Sequence, residues 1–200
     1  GLEQRSFASL LPMHRERRCQ GWVQVSMGCN SKCAYCIVPS VRGREQSRRP
    51  GDVLAEVTRL AADGVREITL LGQNVNSWGR DLLPDIRTEF GELLRACDAV
   101  DGIERIRFTS PHPKDFRTPV IAAIAECGAV CEHVHLPLQS GSSRILKAMR
   151  RTYDRDRYVA LVDRLRSAIP DLALGTDIIV GFPGETDEDF AATLEVVEEV

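Results

Sequence analysis

The sequence lacks any apolar run long enough to cross a membrane, and no signal peptide opens it. It is also poor in aromatic residues, at 6% of 200 positions, so aliphatic side chains must supply most of the core. The formal net charge is −3, which argues against a protein that binds nucleic acid through its overall charge. These absences leave a globular protein with one large domain or two small ones.

The sequence has no convincing disulfide framework, because its seven cysteines are odd in number and three of them lie within eight residues. Such crowding is typical of a metal site in a reducing compartment. We therefore expect a cytoplasmic protein without a membrane partner.

Charge is unevenly distributed along the chain. Residues 1–50 contain nine basic and three acidic residues, whereas residues 185–200 contain acidic residues and no basic one. A basic front suits contact with phosphates, although a solvated surface explains it equally well. The first 20 residues show no periodicity and are predicted to be an arm from an upstream domain. We expect residues 21–200 to form the core domain, incomplete at its C-terminal end.

Short apolar runs alternate with amphipathic stretches along the core. Five runs predict strands, at 22–26, 68–71, 106–108, 133–136 and 178–180. Helical spacing falls between them, at 53–64, 90–100, 120–124 and 158–169. Thr186 and Asp189 predict a capping box for a last helix, with Phe190, Leu194 and Val197 on one side. The alternation predicts an α/β fold built from βα units around a parallel sheet.

Polar, glycine-rich loops follow the predicted strands. They span residues 29–36, 72–77, 109–113, 137–142 and 181–185. Core packing does not require such loops at one end of every strand, but a shared active-site face does, and in parallel sheets sites lie at the carboxyl ends of the strands.

Cys29, Cys33 and Cys36 have the spacing C-x3-C-x2-C. Three thiolates in this arrangement can bind three irons of a cubic cluster and leave the fourth iron open to a small molecule. The alternative is a zinc site with a fourth ligand from elsewhere. The candidates for that ligand are Cys19, His14 and Cys127. Cys97 and Cys127 fall in predicted helices and are expected to be buried, and Cys127 with Cys131 has no third partner.

With Tyr35 before the third cysteine, the motif reads C-x3-C-x-aromatic-C and resembles the signature of the radical S-adenosylmethionine superfamily. Segments 28–39, 42–43 and 47–48 resemble the methylthiotransferases of that superfamily. The segments that resemble the MiaB-type branch, which modifies tRNA, are 71–77, 108–113 and 138–142. The likeness covers residues 20–200 and implies a partial (β/α) TIM-type barrel of parallel strands and outer helices, truncated at its C-terminal end.

The resemblance implies a [4Fe-4S] cluster on the three cysteines and S-adenosylmethionine on its open iron. It also implies cofactor contacts at Tyr35, Gly72, Gln73, Asn74, Gln139, Ser140, Gly181 and Gly184. Each of these residues also has an ordinary explanation, as a strand end, a turn residue or a core aromatic. Relatives carry a second, auxiliary [4Fe-4S] cluster in an upstream domain, and no second motif occurs here. We therefore expect this chain alone not to complete methylthiolation.

By the same resemblance, the substrate is isopentenyladenosine at position 37 of the tRNA anticodon loop, with an electron donor as second partner. A loop base can be turned out into a pocket. Candidate substrate contacts are Arg42, Arg48, Arg49, Asn76 and Ser110, and no catalytic residue is expected beyond the cluster and S-adenosylmethionine. Three alternatives remain open: threonylcarbamoyladenosine in tRNA, an aspartate of a ribosomal protein, or a non-catalytic metal-binding module that docks RNA. We expect a monomer.

Overall fold

A computed structural model describes residues 19–200, which form an α/β fold. The strands are β1 (Gln20–Gln24), β2 (Ser26–Met27), β3 (Gln46–Ser47), β4 (Glu67–Leu71), β5 (Arg105–Phe108), β6 (His133–His135) and β7 (Ala173–Gly175). The helices are α1 (Val38–Arg42), α2 (Pro50–Ala62), α3 (Phe90–Asp98), α4 (Thr118–Glu126), α5 (Ser143–Ala148), α6 (Arg155–Ala168) and α7 (Asp187–Glu199). Of the arm predicted at residues 1–20, only the last two residues are described, and Gln20 already begins β1.

The main strands run parallel and follow one another in chain order. β1 pairs with β4 and β4 with β5, while β6 pairs with β7. A single bridge from Ile106 to Val130 extends the sheet beyond β5, and within residues 19–200 the strands do not close into a barrel. The predicted α/β fold with parallel strands and helices is confirmed. A short antiparallel pair, β2 with β3, stands beside it.

Alternation along the strands sends one face of the sheet to the helices. Ile68, Leu70 and Ile106 are fully buried on that face. Val53, Val57 and Leu60 of α2 are buried in the same hydrophobic core. The sheet and its helices thus share one hydrophobic core. Burying an aliphatic side chain of this size stabilises the fold by roughly 1.5–3 kcal/mol.

The opposite face of the sheet is polar. Glu67 on β4 accepts hydrogen bonds from Gln20 Nε2 at 2.9 Å and from Arg105 Nε at 2.8 Å. The bond from Arg105 is the main reason why the pKa of Glu67 lies below its usual value. This face borders a cavity of about 390 Å³.

The predicted capping box of the last helix is confirmed, because Thr186 accepts from the Asp189 backbone while the Asp189 side chain accepts from the Thr186 backbone. The face of α7 that packs inward carries Asp189, Thr193 and Val196. The apolar residues predicted on one side of this helix lie outward, and Leu194 is 48% exposed.

The strand predicted at 178–180 is wrong. β7 ends at Gly175, and Ile178 makes only a single bridge to Gln139. Val180 is exposed rather than buried, and the bridge from Ile178 to Gln139 lies outside the named strands.

Cys97 and Cys127 are both buried, as predicted; Cys97 lies within α3, whereas Cys127 lies one residue beyond the end of α4 rather than inside the helix. Burial raises the pKa of Cys97 to about 12, so its thiol stays protonated. The longest helix between residues 19 and 200 is α6, with 14 residues, and none there is long and apolar enough to cross a membrane.

Candidate active site

The cysteine loop, residues 29–36, follows Gly28, which lies just after β2. Gly28 has φ +77°, and a Cβ there would lie 2.3 Å from the carbonyl oxygen of Arg44. Only glycine fits so close to another backbone. Cys29 N then donates to Gly43 O at 3.1 Å, so the loop starts against the chain that leads into β3.

The far side of the cysteine loop rests on the end of α5, where Ala34 N donates to Met149 O at 3.0 Å. Two of the three sulfurs accept hydrogen bonds: Ser31 N lies 3.4 Å from Cys29 Sγ, and Arg151 Nη1 lies 3.3 Å from Cys33 Sγ. None of the three cysteines belongs to the hydrophobic core. The loop therefore presents partly exposed thiols that already act as acceptors.

The thiols open onto a cleft of about 210 Å³ at the carboxyl ends of the parallel strands. Seven residues singled out from the sequence line it: Cys29, Cys33, Cys36, Tyr35, Gln73, Ser110 and Gln139. Sequence reasoning missed the other polar lining residues, which are Ser31, His112, His135, Arg151 and Asp177. His112 lies in one of the polar loops predicted at the strand ends, but no sequence pattern indicates Arg151, which is 118 positions from Cys33.

Gly72 and Asn74 stand behind the cleft rather than in its lining. A Cβ on Gly72 would lie 2.6 Å from Ser26 Oγ. Asn74 Nδ2 donates to Asp115 Oδ2 at 2.7 Å, and Asp115 pairs with Arg80 at 2.6 Å. These contacts hold the loop after β4 in place.

Three buried polar atoms of this region have no hydrogen-bond partner among residues 19–200: Ser26 Oγ, Gln73 Oε1 and Asn74 Oδ1. An unpaired buried polar group costs about 1–3 kcal/mol, so each of these atoms calls for a partner such as a ligand or an ordered water. Gln73 also lines the cleft, which makes the loop after β4 a fitting wall for a polar cofactor.

The remaining cofactor candidates lie in different places. Gln139 is in the left-handed region with φ +69°, and its backbone pairs with Asp177 and Ile179 beside the cleft. Ser140 is fully buried, and its Oγ accepts from Ser142 N at 3.2 Å. Gly181 and Gly184 are exposed and, like Ser140, do not line the cleft.

The substrate candidates divide into exposed and buried residues. Arg42, Arg49 and Ser110 are exposed, but Arg48 is only 5% exposed and its Nη1 lies 2.6 Å from Glu56 Oε2. This buried ion pair holds Arg48 inside the fold. Asn76 is buried too, donating to His112 O at 3.1 Å and accepting from His112 N at 2.8 Å, and so ties two loops together.

His112 is a neutral imidazole. Burial, together with the smaller effect of the positive charges of Arg151 and Lys114, lowers its pKa to about 2. Its Nδ1 accepts from Lys114 N at 3.2 Å, which leaves the proton on Nε2. Burial raises the pKa of the Tyr35 phenol, and the nearby charge of Arg151 opposes this rise only in part. The phenol therefore keeps its proton.

The donor set fits an iron–sulfur cluster better than zinc. Between residues 19 and 200, no three His, Cys, Asp or Glu side chains converge on one point, as ligands of a single ion must. Of the candidate fourth ligands, Cys19 precedes β1, at the end of the strand away from the cysteine loop, and Cys127 follows α4. His14 lies outside the described residues. Thiolates that each bind a different iron do not need to converge in this way.

Replacing Gly72 with alanine is expected to lower the free energy of unfolding by about 1–3 kcal/mol, because the added methyl group overlaps Ser26 Oγ. Adding Ser26→Ala should recover part of this loss, since the hydroxyl oxygen is then gone. Recovery stays incomplete because Val75 Cα lies 3.1 Å from the new Cβ. Urea denaturation measures both variants, with Ser26→Ala alone as control. A Gly72→Ala chain of unchanged stability contradicts the close approach.

Comparison with known proteins shows the family of this chain. The sequence profile of the Radical SAM superfamily matches residues 23–197. A protein of Mycobacterium marinum named tRNA-2-methylthio-N(6)-dimethylallyladenosine synthase 1 is 57% identical, over 97% of this chain and 39% of its own length. One of Acidothermus cellulolyticus with the same name, without the number, is 59% identical, over 96% of this chain and 38% of its own length. The chain thus spans 38–39% of the length of these relatives.

Solved structures show the same fold. The radical S-adenosylmethionine methyltransferase TsrM from Kitasatospora setae superposes with a TM-score of 0.70 at 21% identity, over 91% of this chain and 34% of its own. Methylornithine synthase (PylB) gives a TM-score of 0.60 at 15% identity, over 90% of this chain and 50% of its own. From its matched sequence, its fold and its three thiols on one cleft, the chain belongs to the radical SAM superfamily, which uses a [4Fe-4S] cluster and S-adenosylmethionine.

Proposed function

We propose that this chain is the radical SAM core of a MiaB-type tRNA methylthiotransferase, which adds a methylthio group to carbon 2 of isopentenyladenosine at tRNA position 37. The observation that carries the proposal is the likeness of 57–59% to proteins named for that reaction, across almost the whole chain. The complete reaction also needs the auxiliary cluster, which we place outside these 200 residues. The core contributes the radical-generating half of the chemistry.

Cys29, Cys33 and Cys36 are the proposed ligands of the cluster. They share one loop, they face one cleft, and two of their sulfurs accept N–H hydrogen bonds, as cluster thiolates do. When bound, the cluster supplies the electron that cleaves S-adenosylmethionine and so provides the radical that removes hydrogen from the substrate. The protein holds the cofactors in place and excludes water from them.

We place S-adenosylmethionine in the cleft beside the cysteine loop. Gln73, Gln139 and Tyr35 line that cleft and are the proposed direct contacts. Gly72 and Asn74 shape the wall behind Gln73, and the unpaired Asn74 Oδ1 lies within it. For Ser140, Gly181 and Gly184 we propose support of neighbouring loops, since none of them lines the cleft.

The proposed tRNA surface is a basic rim around the cysteine loop. Its members are the exposed cations Lys32, Arg42, Arg44, Lys114 and Arg150. Arg42 and Arg44 flank Gly43, whose carbonyl accepts from Cys29 N, and Lys114 Nζ lies 3.1 Å from Ser31 Oγ. Arg150 follows Met149, which accepts from Ala34 N. Among the described ion pairs none involves the rim, so its charges are available to phosphates.

Replacing Arg42 and Arg44 together with alanine should weaken binding of an anticodon stem-loop RNA. The slope of log K against log salt should become less steep by about two, one unit for each lost phosphate contact. Fluorescence anisotropy at several salt concentrations measures both. The matched control is Arg157→Ala with Arg164→Ala, two exposed arginines of the outer helix α6. Equal losses in both double variants would show that only overall charge matters.

The same assay tests which RNA the site prefers. A stem-loop with isopentenyladenosine at position 37 should bind more tightly than one with threonylcarbamoyladenosine, because an apolar group gains by leaving water. The reverse preference would assign the chain to the other tRNA branch.

All seven cysteines are free thiols, which fits the reducing, cytoplasmic location that we propose. We also propose that the protein is a monomer and that it takes electrons from a separate donor.

A further inference from the structure

Arg151 is the one arginine that lines the cleft, and the function proposed above gives it no role. Its Nη1 lies 3.3 Å from Cys33 Sγ and 3.4 Å from the Tyr35 hydroxyl. On its other side, Nε donates to the Tyr153 hydroxyl at 3.0 Å, and the guanidinium carbon lies 5.0 Å from the centre of the Tyr153 ring. The side chain thus joins the cysteine loop to the body of the fold.

The turn after α5 places this side chain. Arg150 adopts the left-handed conformation with φ +58°, which residues other than glycine rarely enter. Arg151 N then bonds back to Leu146 O at 2.9 Å, and this closes the helix end. The backbone reverses at this point, and residue 151 lies against the cysteine loop instead of continuing along the helix axis.

Tyr153 fixes the orientation of the guanidinium. Its ring is buried, and its hydroxyl donates to the carbonyls of Pro137 and Leu138, at 2.9 and 3.0 Å. The same oxygen accepts from Arg151 Nε, so the planar guanidinium has one edge anchored and the other directed at Cys33 Sγ. An anchored, directional donor differs from a mobile surface charge.

We propose that Arg151 is a positioning residue that donates an N–H···S hydrogen bond to Cys33 and thereby raises the reduction potential of the cluster. This inference rests on the proposed role of Cys33 as a cluster ligand. Reduction adds one electron to the cluster and makes its sulfurs more negative. A cationic donor on one sulfur therefore stabilises the reduced form more than the oxidised one.

Arg150 offers a matched control, because it is the adjacent residue with the same charge but is exposed and has no described contact with a sulfur. Arg151→Gln and Arg150→Gln each remove one positive charge, at adjacent positions of the chain. If the hydrogen bond matters, only Arg151→Gln should shift the potential strongly. If charge alone matters, the two variants should shift it equally.

The test is a redox titration of the anaerobically reconstituted chain, without S-adenosylmethionine, followed by electron paramagnetic resonance of the reduced cluster. At a fixed potential, Arg151→Gln should lower the ratio of reduced to oxidised cluster about tenfold, a shift of about 59 mV for one electron. Arg150→Gln should cause less than half of that shift. An unchanged potential in Arg151→Gln, or equal shifts in both variants, overturns the proposal.

Tyr153→Phe covers the case in which Arg151→Gln does not retain iron. This variant keeps the arginine charge but removes its anchor, so the potential should fall in the same direction by a smaller amount. An unchanged potential in Tyr153→Phe, with full iron content, overturns the proposal. An unsubstituted chain that takes up no cluster contradicts the ligand assignment itself, whereas a bound cluster that ignores Arg151 contradicts this inference alone.

Discussion

Replacing Cys33 with alanine should abolish formation of 5′-deoxyadenosine from S-adenosylmethionine by the reconstituted chain. Two remaining thiolates cannot hold a cubic cluster with one open iron, so the electron needed for cleavage is lost. The chain is reconstituted anaerobically with iron and sulfide, reduced with dithionite, and assayed for 5′-deoxyadenosine by chromatography. Iron and sulfide content should fall together with the product. Cys29→Ala and Cys36→Ala should behave in the same way.

Cys131→Ala is the control for this experiment, because Cys131 is also a partly exposed free thiol but does not line the cleft. It should leave iron content and product formation unchanged. A Cys33→Ala chain that still forms product would contradict the ligand assignment. A cluster-loaded unsubstituted chain that forms no product would leave two explanations, an incomplete core or the non-catalytic, RNA-docking alternative, and the same assay on a longer chain with its flanking domains would decide between them.

Replacing Arg48 with alanine should lower the free energy of unfolding by about 3–5 kcal/mol, because it leaves the buried Glu56 carboxylate without its partner. The same guanidinium also donates to Gln24 O at 2.8 Å and to Asp52 O at 3.1 Å, so the junction of β1 and α2 loses several bonds at once. Domains of this kind have roughly 5–15 kcal/mol of stability, so the loss is a large fraction of the total. Urea denaturation measures it.

Two further variants separate structure from RNA binding. Arg49→Ala, at the exposed neighbouring position, should change stability by less than about 0.5 kcal/mol. Arg48→Met combined with Glu56→Leu removes both charges and should recover most of the stability lost in Arg48→Ala, since apolar pairs often replace buried ion pairs without loss. An Arg48→Ala chain that unfolds normally but no longer binds the stem-loop would restore Arg48 to the substrate contacts.

Sequence patterns predicted the fold well where residues close together in the chain determine the local structure. The capping box at Thr186 and the strand ending at Leu71 are set by residues close together in the chain. The strand predicted at 178–180 failed because an apolar run becomes a strand only where backbone partners are available on its sides. Likewise, the exposure of the apolar face of α7 cannot be predicted from spacing. Spacing shows that apolar residues share one side of a helix, but not whether that side packs against the rest of the protein.

The site was predictable where a motif carries it and not where distant residues meet. The cysteine loop shows its own spacing, and Gln73 and Gln139 follow predicted strands. In the sequence Arg48 resembles a surface cation, because no local pattern shows that it pairs with Glu56, eight residues away. Arg151 carries no local signal, because its importance comes from a turn that returns the chain to Cys33.

The position of the cysteine loop outside the hydrophobic core bears on how the protein matures. In small zinc domains, metal binding and folding are one event. Here the sheet, its helices and the ties between Asn76 and His112 are complete without a cysteine ligand. If these cysteines hold the cluster as proposed, we expect the fold to form before iron and sulfide are bound, and we expect a chain that loses its cluster to keep its secondary structure.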